Sequence, residues 1–145
     1  MSTNRTITFT LNDAPVATTV GTHQTLLEAL QAQGLTGARE SCAQGLCGCC
    51  TVLVDGAPRV ACVTPVRRVA GRVITTVDGL AAEDRARWSE ALLATGGSQC
   101  GFCTPGFITT AHALLTDAGA NAILVGESLM READLIAKAR ELLGS

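Results

Sequence analysis

The chain has 145 residues, a mass of 14.9 kDa and a net charge of −2 at neutral pH, with only 3% aromatic residues. This length allows one ordinary domain or two small ones, packed mainly by small side chains. No basic stripe with interleaved aromatic residues occurs, so the composition expected of a nucleic-acid-binding protein is missing. Residues 91–116 contain no Asp, Glu, Lys or Arg, but Gly96, Gly97 and Pro105 interrupt this run, so no membrane span is expected.

Alternating polar and apolar residues in the N-terminal half predict a small sheet packed on one helix. Thr25 and Glu28 form a capping-box pattern, which predicts a helix over residues 25–33. Segment 35–50 has no apolar period and is predicted to be a loop. These elements describe an α+β domain over residues 1–79. The predicted strands lie at 6–11, 16–20, 51–54, 59–62 and 72–77, of which the first four form two hairpins.

The remaining residues, 80–145, are predicted to form a second, mainly helical domain. Trp88, Ala91 and Leu92 share one helix face, and two glycines follow that helix. Pro105 is typical of the first helical position, where its missing N–H has no consequence. The predicted elements are helices at 83–94, 104–116 and 128–143 and a short strand at 122–126.

Seven cysteines dominate the chemistry of the chain, and four of them lie in the stretch ESCAQGLCGCC. Their odd number, and the lack of an apolar secretory signal in the first residues, favour the cytoplasm and disfavour a disulfide framework. Cys42, Cys47 and Cys50 have the C-x4-C-x2-C spacing of plant-type [2Fe–2S] proteins. A hairpin turn can return Cys62 to the side of Cys50, so these four thiolates could meet.

Two glycines make this loop suitable for a cluster. Gly45 and Gly48 allow a tight, partly left-handed backbone that directs N–H groups at cluster sulfurs. Cys49 fits the ligand spacing less well than its neighbours. We therefore expect it to be a small buried side chain.

Zinc is the alternative metal, because Cys47 with Cys50 and Cys100 with Cys103 are both C-x2-C pairs. The two pairs are much further apart in the sequence than those of a zinc ribbon, which favours the iron–sulfur cluster. Two interpretations remain for Cys100 and Cys103. They are either buried structural thiols or part of a second cluster that other ligands complete.

Two stretches, SCAQGLCGCCTVLVDGAPRVACVTPV and QCGFCTPGF, together resemble the small [2Fe–2S] subunit of the molybdenum hydroxylases. This family includes xanthine dehydrogenase, carbon monoxide dehydrogenase and aldehyde oxidoreductase, and the resemblance covers about residues 5–116. It implies an N-terminal β-grasp, ferredoxin-like domain followed by a small helical domain. It also implies one cluster on Cys42, Cys47, Cys50 and Cys62, and a second to which Cys100 and Cys103 contribute.

The resemblance further implies an electron-transfer function with no substrate site in this chain. Electrons would pass from a molybdopterin centre in a large subunit, through the clusters, to flavin or another acceptor. Gln99 matches a glutamine that lies near the molybdenum cofactor in this family. The implied partners are the large molybdopterin-binding subunit and a flavin-binding subunit.

The sequence departs from the family at several points. Ser41 and Ala43 stand where the family favours glycine, and Cys49 stands where alanine is usual. No cysteine follows Cys103, so the family's later Cys-x-Cys pair is absent and the second cluster lacks two of its four ligands. This loss supports an alternative function, a stand-alone single-cluster module whose helical domain has no redox role.

The tail at 119–144 also departs from the family. It is similar to the last strand–helix unit of indole-glycerol-phosphate synthase barrels. A single such unit cannot form a barrel, so a strand-like segment and an amphipathic helix that cover apolar surface are the favoured interpretation.

Overall fold

A computed structural model describes residues 4–116 of the chain. Five strands form one mixed sheet. They are β1 (Arg5–Leu11), β2 (Ala14–Val20), β3 (Thr51–Val54), β4 (Ala57–Val60) and β5 (Val73–Thr75). The order across the sheet is β2-β1-β5-β3-β4, with β5 parallel to β1 and antiparallel to β3. The last of the described strands, β5, therefore lies in the middle of the sheet.

Two tight hairpins account for four of the five strands, as predicted. Asn12 and Asp13 connect β1 to β2, and both have a positive φ. Asp55 and Gly56 connect β3 to β4 in the same way, with φ values of 51° and 82°. Positive φ at both central residues matches the right-handed twist of the flanking strands and explains the choice of Asp-Gly.

One helix, α1 (Leu26–Ala32), covers the sheet. The predicted capping box is confirmed: the backbone N–H of Glu28 donates to the Thr25 hydroxyl at 3.2 Å, and the Thr25 N–H donates to the Glu28 carboxylate at 2.7 Å. Leu26, Leu27 and Leu30 are fully buried in the main core. The cap and the apolar face together explain why this short helix forms.

The predicted strand at 59–62 is wrong in its second half. The backbone leaves β4 after Val60 and enters a 3₁₀ turn, Ala61–Val63, which carries Cys62. The Thr64 hydroxyl donates to the Val60 carbonyl at 2.9 Å, and this bond stabilises the turn. The predicted strand at 72–77 is also too long, because β5 ends at Thr75.

The two predicted helices after the sheet are present. They are α2 (Ala82–Thr95) and α3 (Thr104–Thr116), and Gly96 ends α2 in the left-handed conformation. Trp88 of α2 and Phe107 of α3 make an edge-to-face contact with ring centroids 6.0 Å apart. Ile108 of α3 packs with Leu53 of β3, so α3 also packs against the sheet. None of the described helices has both the length and the apolar composition to cross a bilayer.

These elements confirm the predicted α+β class. The boundary at residues 79 and 80 stays a prediction, since the helices share apolar contacts with β3. The predicted strand at 122–126, the helix at 128–143 and the resemblance of the tail at 119–144 lie outside the described residues.

Candidate metal centre

The loop between α1 and β3 carries most of the cysteines and follows an unusual backbone path. Gly45 and Gly48 have φ values of 74° and 76°, which confirms the predicted left-handed conformation. A Cβ on Gly45 would lie 3.0 Å from a methyl group of Val63, so this position also has little space for a side chain. Ala43 adopts φ 52°, a strained value for a residue with a Cβ.

This path directs three backbone N–H groups at one sulfur. The amides of Gln44, Leu46 and Cys47 each donate to Sγ of Cys42 at 3.4 Å. Led by the Gln44 amide, these bonds lower the pKa of Cys42 to about 6. Hydrogen bonds to the charged form of a group favour that form, so Cys42 is prepared to act as a thiolate ligand.

Cys47 is the partner of Cys42. Its thiol donates to the Cys42 sulfur, and its own sulfur accepts from the backbone N–H of Cys49. The amide of Cys49 is the main cause of a lowered pKa at Cys47. Two neighbouring sulfurs therefore favour the thiolate form, with Cys47 exposed and Cys42 half-buried.

Cys50 and Cys62 form a second, more buried pair. The backbone N–H of Cys62 donates to Sγ of Cys50 at 3.4 Å, and the Cys62 thiol donates to the same sulfur. Burial raises the pKa of Cys62 to about 11, against the effect of a backbone N–H from Gly45. Cys62 also interacts electrostatically with Cys42, so the two pairs lie in one region.

The four thiols form two pairs, Cys42 with Cys47 and Cys50 with Cys62. A [2Fe–2S] cluster requires two thiolates on each of two irons. Soft thiolates surrounded by backbone N–H groups are the donor set such a cluster prefers. The residues present therefore fit a [2Fe–2S] cluster.

Two residues outside the predicted set hold the loop in place. Thr51 donates to the Gly48 carbonyl through its backbone N–H at 3.0 Å and through its hydroxyl at 2.7 Å. The backbone N–H of Arg39 donates to the Cys49 carbonyl at 3.2 Å. Cys49 itself is only 6% exposed, which confirms the prediction of a small buried side chain. A threonine directly after the Cys-Cys pair was the one sequence signal for this support.

Cys100 and Cys103 lie in a different environment, the turn that precedes α3. Both are exposed, so the interpretation of buried structural thiols is wrong. Gly101 adopts φ 74° between them, and Gln99 is exposed in the same turn. Among the described residues no third ligand joins this pair.

Comparisons with known proteins place the chain in a family. Residues 14–84 match the family described as a 2Fe-2S iron-sulfur cluster binding domain, and residues 76–134 match a [2Fe-2S] binding domain. The nicotinate dehydrogenase small FeS subunit of Eubacterium barkeri is 36% identical over 112 residues, which cover 76% of this chain and 71% of that subunit. The chain belongs to the small [2Fe–2S] subunits of the molybdenum hydroxylases. The predicted family and the predicted [2Fe–2S] cofactor are confirmed.

Other members of the family are similar as well. Aldehyde oxidoreductase of Megalodesulfovibrio gigas is 47% identical over 87 residues, which cover 59% of this chain but 10% of that enzyme. The structure of quinoline 2-oxidoreductase from Pseudomonas putida 86 superimposes with a TM-score of 0.77 and 32% identity, covering 97% of this chain and 90% of that one. The matched part of this iron–sulfur subunit therefore corresponds to a small fraction of aldehyde oxidoreductase.

Proposed function

We propose that this chain transfers electrons one at a time between a molybdopterin centre in a larger subunit and a flavin or another acceptor. The two cysteine pairs, formed by the loop before β3 and the turn after β4 and supplied with backbone N–H groups, are the observation that carries this proposal. A bound [2Fe–2S] cluster supplies one-electron chemistry, with potentials near about −400 mV in plant-type ferredoxins. The chain itself performs no substrate chemistry.

The protein's part in this function is to hold the cluster and to tune its reduction potential. The N–H groups of Gln44 and Leu46 stabilise negative charge on the Cys42 sulfur, which favours the reduced state. Burial of Cys50 and partial burial of Cys62 keep water from one side of the site. We assign ligand roles to Cys42, Cys47, Cys50 and Cys62, with Gly45 and Gly48 as the residues that shape the loop.

A complete complex requires partners. The similarity to nicotinate dehydrogenase and to quinoline 2-oxidoreductase supports a large molybdopterin-binding partner, and a flavin-binding subunit is the second partner we propose. Gln99, exposed beside Cys100, is the residue we assign to the face toward the molybdenum cofactor. We retain residues 1–79 and 80–145 as the two domains. The odd number of cysteines, which disfavours a disulfide framework, supports the cytoplasmic location that we propose.

A single-cluster module is the second candidate function. It is favoured by the exposed pair Cys100 and Cys103, because no cysteine after Cys103 is present to complete a second cluster. In that case the helical domain packs against the sheet without carrying electrons.

Electron paramagnetic resonance of the reduced protein, together with iron and sulfide analysis, tests both candidates. We expect a [2Fe–2S] signal and about two irons per chain from the loop alone, or about four if the pair at residues 100 and 103 is completed by other ligands. A reduced protein without any such signal would contradict the proposed function. Co-expression with a molybdopterin-binding large subunit then tests the partner, since the relay requires a stable complex and the isolated module does not.

A further inference from the structure

The start of α3 packs directly against the backbone of the cysteine loop. A Cβ built on Gly106 would overlap the carbonyl oxygen of Gly48 and would lie 2.9 Å from both the carbonyl carbon and the Cα of Cys49. Real Cβ atoms do not approach backbone this closely, so only glycine fits here. Gly106 thus permits the helix to contact the loop between Cys47 and Cys50.

The contacted backbone has little freedom to move away. The Gly48 carbonyl already accepts two hydrogen bonds from Thr51, and the Cys49 carbonyl accepts one from the N–H of Arg39. A group inserted at residue 106 would therefore displace the helix or break these bonds. Either change alters the support of the two adjacent ligands.

A second contact joins the same two segments. The guanidinium of Arg39 lies over the ring of Phe102, with its central carbon 5.5 Å from the ring centroid. Arg39 precedes Cys42 by three residues, and Phe102 lies between Cys100 and Cys103. This cation–π contact links the entry of the loop to the turn before α3.

We propose that Gly106 and the Arg39–Phe102 pair are positioning residues through which the helical half holds the [2Fe–2S] loop in its ligating conformation. This inference builds on the proposed function, because it assumes a cluster on Cys42, Cys47, Cys50 and Cys62. The contacts support the loop at its entry and at its end. Residues that support ligands in this way commonly change metal affinity without touching the metal.

Gly106→Ala in the full-length, cluster-loaded chain tests this assignment. The matched control is Gly21→Ala, because a Cβ at Gly21 meets nothing within 4 Å and Gly21 has no positive φ. We expect Gly106→Ala to release iron to a ferrous chelator about ten-fold faster than wild type, within the range seen for ligand-supporting residues. The paramagnetic resonance g-values and the midpoint potential should also shift, whereas Gly21→Ala should match wild type in all three measurements.

The milder variants Arg39→Lys and Phe102→Leu keep the experiment decisive if Gly106→Ala does not fold. Each should accelerate iron release. The double variant should release iron about as fast as the faster single variant, because both residues act through one contact. Wild-type release rates and g-values in these variants would overturn the inference. A wild-type protein that binds no iron would instead overturn the proposed function.

Discussion

The two cysteine regions of this protein differ in how much of a metal site one chain provides. In the segment at residues 42–62, four of the five thiols form two pairs, and backbone N–H groups donate to the sulfurs of both pairs. In the turn at residues 99–104, two thiols are exposed, and in the described part of the chain they belong to no group of three ligands that could hold a metal ion. Both regions contain a C-x2-C pair. Spacing alone therefore does not distinguish a complete site from half of one.

What distinguishes the two regions is the backbone around the sulfur. A cluster needs donors directed at its sulfurs, and the loop supplies them through residues with positive φ at positions 43, 45 and 48. The turn has one such residue, Gly101. The following predictions test this contrast.

Replacing a ligand in the complete region should have the largest effect. Cys50→Ser removes the sulfur that accepts hydrogen bonds from Cys62, and we expect loss of the [2Fe–2S] absorption and of about two irons per chain. Iron analysis and visible spectroscopy measure this loss. Cys49→Ala is the control, because the Cys49 thiol is buried beside Cys50 but is not an assigned ligand. This variant should keep its iron. Equal iron in Cys50→Ser and wild type would contradict the ligand assignment.

The thiols of the iron-free protein should differ strongly in reactivity. The pKa of Cys42 is lowered to about 6 and that of Cys62 is raised to about 11. Above pH 6 Cys42 is therefore mainly thiolate, whereas Cys62 stays protonated up to about pH 11, and only thiolates react rapidly with alkylating reagents. Iodoacetamide at pH 7 should label Cys42 at least ~10-fold faster than Cys62, and peptide mass spectrometry measures both rates.

The difference in labelling should disappear in concentrated urea. Unfolding removes both the backbone N–H groups that act on Cys42 and the burial of Cys62. A preference for Cys42 that persisted in urea would show that the folded loop is not its cause.

Backbone strain should respond in opposite directions in the two regions. Ala43 has φ 52°, so Ala43→Gly should relieve about 1–2 kcal/mol of backbone strain. The entropy that glycine adds to the unfolded chain offsets about 0.4–1 kcal/mol of this, so we expect a small net stabilisation of the fold. Gly101 has φ 74°, so Gly101→Ala should destabilise by a similar amount, about 1 kcal/mol. Urea unfolding of both variants measures the change. A destabilised Ala43→Gly would argue against the left-handed conformation at residue 43.

Removing both thiols of the incomplete region should have the smallest effect on iron. The double variant Cys100→Ser, Cys103→Ser leaves all four assigned ligands and their N–H donors unchanged. We expect about two irons per chain and an unaltered signal from the loop cluster. If the unsubstituted chain holds about four irons and the variant about two, the pair is part of a second, completed cluster.

Much of the fold follows from local sequence signals. The Thr25–Glu28 capping box and the Asp-Gly turn after β3 act within a few residues, so the pattern alone predicts them. The cysteine spacing likewise identifies the [2Fe–2S] loop. These features need no knowledge of distant contacts.

Other features depend on contacts between distant residues. The 3₁₀ turn that carries Cys62 replaces the end of a predicted strand, because Thr64 bonds back to Val60. The contact of Gly106 with Gly48 joins segments nearly sixty residues apart. In the sequence Gly106 only follows Pro105, and the start of a helix already explains that proline, so nothing there points to the contact. The spacing of Cys100 and Cys103 likewise does not predict that both thiols are exposed.

The two-residue turn at Asp55 and Gly56 determines which position in the chain can supply the fourth thiol. It pairs Thr51 with Val60, so Cys50 and the residues after Val60 are brought to the same end of the hairpin. One extra residue in either strand would rotate the following side chains to the opposite face of the sheet. One extra residue in each strand would keep the pairing and require the cysteine two positions later. The hairpin can therefore lengthen during evolution only in matched steps, unless the metal site is lost.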